Sequence, residues 1–286
     1  MLLNDLTGKN ILITGATNGI GLEAAVVLAA QGGNVTIVGR DAGRTAKSVE
    51  EIKSRSKSEK VDSLLCDFSD FDAIRKLAAD YQAAHDSLHV LANNAGSVFE
   101  TRTILPNGIE ATFAVNHLGY FLLTQLLLDL MIKSAPARIV ITSSTGHYSG
   151  TMDFEDLYFE KNYWIMRGYQ RSKLGNVLYT RALAKRLEGK GVTVNAMHPG
   201  GVATNIWTGA PNWTKPLLAM AKWFMLTPAQ GAERITYLAA SPEMEGKTGG
   251  YYHDNHERAP SKLAQDAAVG ERLWTLSEQL TGLALA

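Results

Sequence analysis

The chain has 286 residues, 45% of them hydrophobic, and its 28 basic and 28 acidic residues give a net charge of zero. A chain of this length can bury one large core, and its neutrality excludes the basic footprint of a nucleic-acid-binding protein. Cys66 is the only cysteine, which excludes an intramolecular disulfide and fits a reducing, cytoplasmic compartment.

Short β-branched strands alternate with longer helical patterns along the chain. The stretch Met1–Leu6 lacks the basic region and apolar run of a signal peptide or membrane anchor. Strands are predicted over 9–14, 34–39, 61–66, 88–92, 137–143, 191–197 and 248–252. Helices are predicted over 20–31, 43–56, 70–84, 107–133, 168–188, 228–240 and 263–280. This alternation predicts a single α/β domain over 1–286, a Rossmann-type, doubly wound parallel sheet of about seven strands with helices on both faces.

A glycine-rich turn, Thr14-Gly-Ala-Thr-Asn-Gly-Ile-Gly21, joins the first predicted strand to the first predicted helix. Gly15 and Gly19 allow the backbone to turn tightly and approach a ligand, and Gly21 lets helix and strand pack closely. Unpaired N–H groups at the start of the helix would bind a pyrophosphate. The motif predicts a dinucleotide site formed by Gly15, Thr17, Asn18, Gly19, Ile20 and Gly21.

The end of the second predicted strand should select between NAD and NADP. An acidic residue there would bind the ribose hydroxyls of NAD, whereas a guanidinium attracts the extra phosphate of NADP. Gly39 occupies the acidic position and Arg40 follows it, so the sequence favours NADP(H) over NAD(H). A register shifted by two residues would make Asp41 the discriminating acid, and Arg44 could supply a second cation.

Tyr169 and Lys173 are four residues apart in a predicted helix, which places a phenol and an ammonium on one face. An adjacent cation favours the phenolate, so Tyr169 could act as a general acid or base near neutral pH. The spacing alone is more typical of a solvated helix face. However, Gly15, Asn93 and Ser144 each follow a predicted strand, and the carboxyl ends of parallel strands form the ligand edge of such a sheet. We therefore expect the pair to lie beside the dinucleotide.

Further motifs follow in order: Asn93-Asn-Ala-Gly96, Asn116 within Ala114–Gly119, Ser144 at the end of Ile141–Ser144, and Pro199-Gly200. With these motifs, the glycine turn and the tyrosine-lysine pair, the chain resembles the short-chain dehydrogenase/reductase family from Leu6 to about Leu283. The stretches Phe113–Thr124, Tyr169–Arg181 and Arg272–Glu278 are most similar to the branch of retinol dehydrogenases, WW-domain oxidoreductases and protochlorophyllide reductase.

The resemblance implies hydride transfer between a nicotinamide cofactor and a substrate alcohol or carbonyl group. It implies that Tyr169 exchanges the proton, that Lys173 lowers the pKa of Tyr169 and holds the ribose, and that Ser144 binds the substrate oxygen. Ser143 is the rival for the serine role, and Asn116 would hold a water that relays protons to Lys173. The implied cofactor contacts also include Asp67, Phe68, Asn93, Ala95, Gly96, Pro199, Gly200, Val202 and Thr204.

Two of these regions have an alternative interpretation. Asp67 could instead be the N-cap of a helix that begins at Phe68. The motif His253-Asp-Asn-His256 contains two histidines and a carboxylate, but a loop or active-site rim is favoured there over a metal site. We therefore predict no metal ion.

The 25 positions from Ser144 to Tyr169 exceed the spacing that the resemblance implies, and retinol dehydrogenase-like members carry a similar insertion. The dinucleotide-binding part would occupy about 7–145, and two segments, about 150–167 and 203–227, would flank the substrate entrance. The segments form either a lid over a lipophilic substrate or a surface that touches a membrane. The lid is favoured because the second segment contains only two cations, Lys215 and Lys222.

The favoured function is an NADP-dependent oxidoreductase for a lipophilic alcohol or carbonyl compound, and the sequence is compatible with a homo-oligomer. A redox-sensing protein that binds NADP without turnover is the alternative from another class. Such sensors tend to lose the proton machinery, which is present here as Asn116, Ser144, Tyr169 and Lys173. A protochlorophyllide reductase-like enzyme is a further alternative, although Cys66 is expected on the adenosine side, far from a pigment.

Overall fold

Seven parallel strands form the centre of the computed structural model, which describes residues 2–201 and 226–283. The strands are β1 (Asn10–Thr14), β2 (Asn34–Gly39), β3 (Val61–Leu65), β4 (Val90–Asn93), β5 (Ala137–Thr142), β6 (Val192–His198) and β7 (Tyr251–His253). Their order in the sheet is β3-β2-β1-β4-β5-β6-β7. Strands β2 and β3 lie on one side of β1 and the later strands lie on the other, so the strand order reverses between β1 and β4. Such a reversal opens a crevice at the carboxyl ends of the strands, where ligands bind.

An eighth strand, β8 (His256–Arg258), pairs antiparallel with β7 and corrects the prediction of about seven strands. His253 pairs with His256, and Asp254 and Asn255 between them have φ angles of 50° and 62°. Positive φ at both central positions is what a type I′ hairpin turn requires, and Asp and Asn tolerate it. The histidine motif is therefore a hairpin turn. Within residues 2–201 and 226–283, no group of three or more His, Cys, Asp or Glu side chains could hold a metal ion.

Seven long helices cover the two faces of the sheet in the described parts of the chain. They are α1 (Gly19–Ala30), α2 (Ala42–Ser56), α3 (Phe71–Ala84), α4 (Ala111–Lys133), α5 (Ile165–Arg186), α6 (Pro228–Ala240) and α7 (Ala267–Thr281). Apolar side chains of α1, α2 and α6 form one buried cluster, and those of α3, α4, α5 and α7 form the other. The doubly wound α/β fold predicted from the sequence is confirmed.

Helix α4 begins later than predicted because Glu110 ends the preceding loop. The Glu110 carboxylate accepts hydrogen bonds from the N–H groups of Thr112 and Phe113, both at 2.9 Å, and so caps the helix. A π-helical turn, Ala114–Leu118, then interrupts the α-helical ladder. Turns of this kind are frequent at functional sites, and this one contains Asn116.

The length and apolar composition of α4 would also suffice for a membrane span. In this fold, however, its large side chains pack against α3, α5 and α7, and Tyr120, Phe121 and Leu123 are fully buried. Packing in the core therefore accounts for the apolar character of the helix.

Candidate active site

The turn between β1 and α1 contains glycines at positions where a side chain has no room. A Cβ atom on Gly15 would lie 2.6 Å from the Cα atom of Ala95, and one on Gly21 would lie 2.5 Å from the carbonyl oxygen of Gly15. Gly15 and Gly19 also have φ angles of 66° and 56°, a region that favours glycine. The backbone of this turn therefore lies against the loop at the end of β4. It forms a cradle that any Cβ atom at these glycines would fill.

The N-terminus of α1 is not capped by a side chain. Asn18 is the N-cap residue, but its side chain makes no capping hydrogen bond, and no acidic residue occupies the first turn. A helix start of this kind presents N–H groups and a positive dipole end to an anion. Thr17, Asn18, Gly19 and Ile20 thus form a backbone cradle that fits a pyrophosphate.

Thr14 and Asn94 hold the glycine turn against the loop that follows β4. The Oγ1 atom of Thr14 accepts from the N–H groups of Asn94 and Ala95 at 2.9 and 3.0 Å. The Nδ2 atom of Asn94 donates to the carbonyl oxygens of Thr14 and Gly15, each at 3.1 Å. Sequence reasoning assigned no role to either side chain, although polar residues at the ends of neighbouring strands were a signal that could have found them.

Asp67 follows β3 and bonds within its own turn. Its Oδ1 atom accepts from the N–H and the hydroxyl of Ser69 at 2.9 and 2.7 Å. The N-cap of α3 is Asp70, so the alternative interpretation of Asp67 as a helix cap is wrong. The ring of Phe68 is buried in the core, where it lies against the position of Gly119.

Asn93 ends β4 and is fully buried. Its Nδ2 atom donates to the hydroxyl of Thr124 at 3.0 Å, while its Oδ1 atom has no hydrogen-bond partner within the described residues. A buried acceptor without a donor is rare in native proteins, and it fits a site where a ligand supplies the donor. Ala95 and Gly96 continue the same loop, and Gly96 is exposed.

Gly39 is the last residue of β2, and no side chain fits there. A Cβ atom at this position would lie 2.5 Å from the side chain of Thr17 and 2.1 Å from that of Thr45. The acidic residue that would bind the ribose hydroxyls of NAD therefore has no place at the strand end. Arg40 follows directly and is exposed.

Asp41, the alternative selector, is the N-cap of α2. Its carboxylate accepts from the N–H of Arg44 at 2.8 Å, and this hydrogen bond holds the pKa of the carboxyl below its ordinary value. The Asp41 side chain is therefore engaged with the helix that follows it. Gly39, which pairs with Leu65 of β3, is the last residue of β2, and Arg40 follows it directly.

Tyr169 lies near the start of α5, beside Ser144. Burial raises the pKa of the Tyr169 phenol above its ordinary value, and a hydrogen bond with the Ser144 side chain opposes part of that effect. Ser144 also accepts from the N–H of Gly146 at 3.0 Å. Ser143 is engaged elsewhere, because its hydroxyl donates to the carbonyl oxygen of Lys173 at 2.8 Å. The structure thus brings Ser144, and not Ser143, to the phenol.

Lys173 is 2% exposed, and its Nζ atom donates to the carbonyl oxygen of Thr142 at 3.0 Å. Burial lowers the pKa of Lys173 to about 7. The Nζ atom lies 5.7 Å from the ring centroids of both Tyr120 and Tyr169. The resemblance implied that Lys173 lowers the pKa of Tyr169, whereas here Ser144 is the group that opposes the effect of burial on that pKa.

Asn116 is fixed to the loop after β4 by two hydrogen bonds. Its Oδ1 atom accepts from the N–H of Ser97 at 2.8 Å, and its Nδ2 atom donates to the carbonyl oxygen of Ser97 at 2.9 Å. The carbonyl oxygen of Asn116 accepts from the Nδ2 atom of Asn176 at 3.0 Å. This network links Asn116 to the helix that carries Tyr169 and Lys173.

The remaining predicted cofactor contacts follow β6. Pro199 and Gly200 come directly after the strand, and Gly200 has a φ angle of 92°. Val202 and Thr204 lie outside the described residues, as does most of the segment predicted over about 203–227.

The segment predicted as an insertion packs against α5 and the loop after β4. Buried Arg171 donates to the carbonyl oxygen of Thr151 at 3.0 Å, and its guanidinium lies 3.6 Å from the ring centroid of Phe159. The hydroxyl of Tyr163 donates to the carbonyl oxygen of Phe99 at 2.8 Å. Any lid movement of residues 151–163 would have to break these contacts.

The chain is similar in sequence to known proteins. The family model for short chain dehydrogenase matches residues 9–215. Retinol dehydrogenase 13 from Mus musculus is 39% identical over 98% of this chain and 86% of its own length. The WW domain-containing oxidoreductase from Homo sapiens is 38% identical over 96% of this chain and 69% of its own length.

Solved structures share the fold. The crystal structure of an uncharacterized protein from Mycobacterium paratuberculosis has a TM-score of 0.80 and 28% identity, and the match covers 98% of this chain and 96% of that one. A short chain dehydrogenase from Pseudomonas syringae has a TM-score of 0.70 and 26% identity, covering 87% of this chain and 96% of that one.

Proposed function

Because the chain belongs to the short-chain dehydrogenase family, we propose that it transfers hydride between NADP(H) and a lipophilic alcohol or carbonyl compound. Its membership and its similarity to retinol dehydrogenases make it an NAD(P)-dependent oxidoreductase that acts on CH–OH or C=O groups. The proposal therefore concerns the choice of cofactor, the class of substrate and the residues that act. The observation that carries it is the meeting of Ser144, Tyr169 and Lys173 at the ligand edge of the sheet.

The preference for NADP(H) is supported by the end of β2. No acidic side chain fits at Gly39, and the carboxylate of Asp41 caps α2. The exposed guanidinium of Arg40, directly after the strand end, would then be the group that contacts the ribose of a bound adenosine. A guanidinium binds a phosphate through charge-assisted hydrogen bonds, so it would favour the phosphorylated ribose.

Each residue near the phenol has a proposed task, and the bound cofactor supplies the hydride. Tyr169 exchanges a proton with the substrate oxygen, because it is the titratable hydroxyl at this position. Ser144 donates to the same oxygen where negative charge develops. Lys173 adds a buried cation within 5.7 Å of the Tyr169 ring centroid, and Asn116 connects this unit to the loop after β4.

The lipophilic class of substrate is supported by relatives and by exposed aromatic rings. Retinol, from which the relatives take their name, is a long apolar alcohol. Trp164, the N-cap residue of α5, is 57% exposed, and Tyr148, in the turn after Ser144, is 47% exposed. Both rings offer exposed apolar surface in the segment of the chain between Ser144 and Tyr169.

A homologous series of straight-chain aldehydes, assayed with NADPH and in parallel with NADH, tests the proposal. Each CH2 group that becomes buried contributes about 0.8 kcal/mol, so kcat/KM should rise about fourfold per added CH2 until the pocket is full. A flat series, or a preference for short polar sugars and hydroxy acids, would contradict the lipophilic substrate. Equal turnover with NADH would contradict the choice of NADP(H).

A further inference from the structure

The Asn176 side chain lies one helical turn beyond Lys173 and is fully buried. Its Nδ2 atom donates to two backbone carbonyl oxygens, that of Asn116 at 3.0 Å and that of Thr142 at 3.1 Å. The Thr142 oxygen is also the one to which Lys173 donates, at 3.0 Å. One amide group therefore joins the π-helical turn of α4 to the end of β5, where the Thr142 oxygen is also the acceptor of the buried ammonium.

The orientation of the amide is set from its other side by His117. The Nδ1 atom of His117 lies 3.3 Å from the Oδ1 atom of Asn176, and its Nε2 atom lies 3.2 Å from the hydroxyl of Ser277 on α7. Because both N–H groups of Asn176 are directed at carbonyl oxygens, its Oδ1 atom is the acceptor that faces Nδ1 of His117, and the Ser277 hydroxyl, which also donates to the carbonyl oxygen of Leu273 at 2.7 Å, faces Nε2. Gly175 leaves space for the ring, since a Cβ atom there would lie 3.1 Å from it.

Asn176 supplies a hydrogen-bond donor to two carbonyl oxygens whose positions bear on the site. The π-helical turn interrupts the regular ladder of hydrogen bonds, and a buried carbonyl oxygen without a donor destabilises the fold. The ammonium of Lys173, in turn, is stable inside the protein only when its acceptor is held in place. Asn176 donates to the Asn116 oxygen within the π-helical turn and to the Thr142 oxygen that Lys173 also bonds.

On the basis of the function proposed above for Lys173, we propose that Asn176 is a positioning residue of the catalytic unit. Its amide ties the carbonyl oxygens of Asn116 and Thr142 together and so fixes the oxygen that orients the Lys173 ammonium. His117 and Ser277 hold the amide in the required orientation, which connects α7 to the site.

Few other ionisable groups face this junction, so the titration of Lys173 can be followed. Tyr169 belongs to α5 itself, and Tyr120 and His117 face the junction from α4. Thr142, at the end of β5, and Ser143, which follows it, do not titrate. Burial lowers the pKa of His117 to about 4 and raises the pKa of both Tyr120 and Tyr169. These groups therefore titrate outside the range near 7 that belongs to Lys173.

The first experiment replaces the amide by a carboxylate of the same shape, Asn176→Asp. Two atoms bonded to the same Thr142 oxygen lie within about 6 Å of each other, and a carboxylate at that range favours the charged form of lysine. We expect the pKa of Lys173, measured by NMR titration of isotopically labelled lysine in the full chain, to rise by about one unit or more. An unchanged pKa would overturn the proposal.

Asn195→Asp is the matched control. Asn195 is also a buried asparagine, and its side chain donates to the carbonyl oxygen of Lys247 at 2.7 Å and accepts from the N–H of Gly250 at 3.0 Å. Asn195 lies in β6 opposite Val140, and its side chain bonds to Lys247 and Gly250 rather than to a residue of the junction, so this change should destabilise the fold and leave the pKa of Lys173 where it is. An equal shift in both variants would show a general effect of charge and contradict a specific role for Asn176.

A second variant, Asn176→Ala, removes the donor without adding charge. Misplacement of a catalytic group costs about 10–100-fold in rate, so kcat should fall by that factor, with KM for the aldehyde within about threefold of the wild type. A wild-type kcat would overturn the proposal. So would failure of both Asn176 variants to fold while Asn195→Asp and Asn195→Ala fold, because Asn176 would then serve the core alone. The NMR titration needs no substrate, so a shifted pKa in a protein without NADPH-dependent turnover would refute only the proposed function.

Discussion

The two ends of the candidate site are built in opposite ways. At the proposed phosphate end, where β1 meets α1, the groups available for binding are backbone N–H groups and a glycine cradle. At the catalytic end, where β5 meets α5, they are the buried or half-buried side chains of Ser144, Tyr169 and Lys173. The difference follows from the chemistry required, because a pyrophosphate is bound by several fixed dipoles, whereas proton exchange needs single groups with shifted pKa values.

Helix starts show the same contrast across the described parts of the chain. Side chains of Asp41, Asp70, Glu110, Thr227 and Asp266 cap α2, α3, α4, α6 and α7. The starts of α1 and α5 have no side-chain cap, and both helices lead into the site. A capping side chain satisfies the N–H groups that an anion would otherwise bind, so its absence from α1 leaves them for a ligand.

The largest effect is expected at the catalytic end, because no backbone group can replace the Tyr169 hydroxyl in proton exchange. Tyr169→Phe keeps the ring and removes the hydroxyl, so turnover should fall by about 10²–10⁴ while the Kd for NADPH stays within a few-fold. Steady-state kinetics and calorimetric titration of NADPH measure the two quantities. Activity within a few-fold of the wild type would remove Tyr169 from its proposed role.

At the phosphate end, Gly15→Ala should affect binding first. The new Cβ atom would meet the Ala95 backbone at 2.6 Å, and the φ angle of 66° is strained for alanine. We expect the free energy of NADPH binding to become less favourable by about 1–3 kcal/mol, so that the Kd for NADPH increases by about tenfold or more. Gly43→Ala at the start of α2 is the control, because its Cβ atom would only reach 3.7 Å from Asp41 Oδ1. Equal Kd values for both variants would contradict a cradle at Gly15.

Arg40→Asp tests the one side chain that should act at the adenosine end. The change removes a charge-assisted hydrogen bond and adds repulsion, so the Kd for NADPH should increase by about 10–100-fold while the Kd for NADH is spared. Calorimetric titration of both cofactors decides the point. Arg44→Asp serves as the matched variant, and a larger effect there would make Arg44 the selector.

The smallest effect is expected for Asp41→Ala, which removes the cap of α2. Because the hydrogen bond from the Arg44 N–H lowers the pKa of Asp41, the cap stabilises the fold above the unfolded-state pKa and is lost as the pH falls through the lowered value. The variant should therefore have a lower Tm near neutral pH, and the difference from the wild type should shrink in acid. An altered ratio of Kd values for NADPH and NADH would instead identify Asp41 as the selector.

Most of the fold could be predicted because its signals are local. Apolar strands such as Ile11–Ile13 and the amphipathic helices between strands have periodicities that a single sequence displays. Strand β8 could not be predicted in this way, because its three residues, His256–Arg258, are all exposed and carry no apolar pattern. The late start of α4 and its π-helical turn also depend on contacts that a periodicity does not encode.

The same distinction between local signals and tertiary contacts applies to the candidate site. The sequence by itself determined which residue types are available, the glycine turn, the tyrosine-lysine spacing and the absence of an acid at Gly39, because these depend on neighbours along the chain. Only the tertiary structure decided that Ser144 rather than Ser143 meets the phenol, and that Asn176 joins Asn116 to Thr142. Such hydrogen bonds join residues far apart in the chain, and their geometry exists only once sheet and helices have packed.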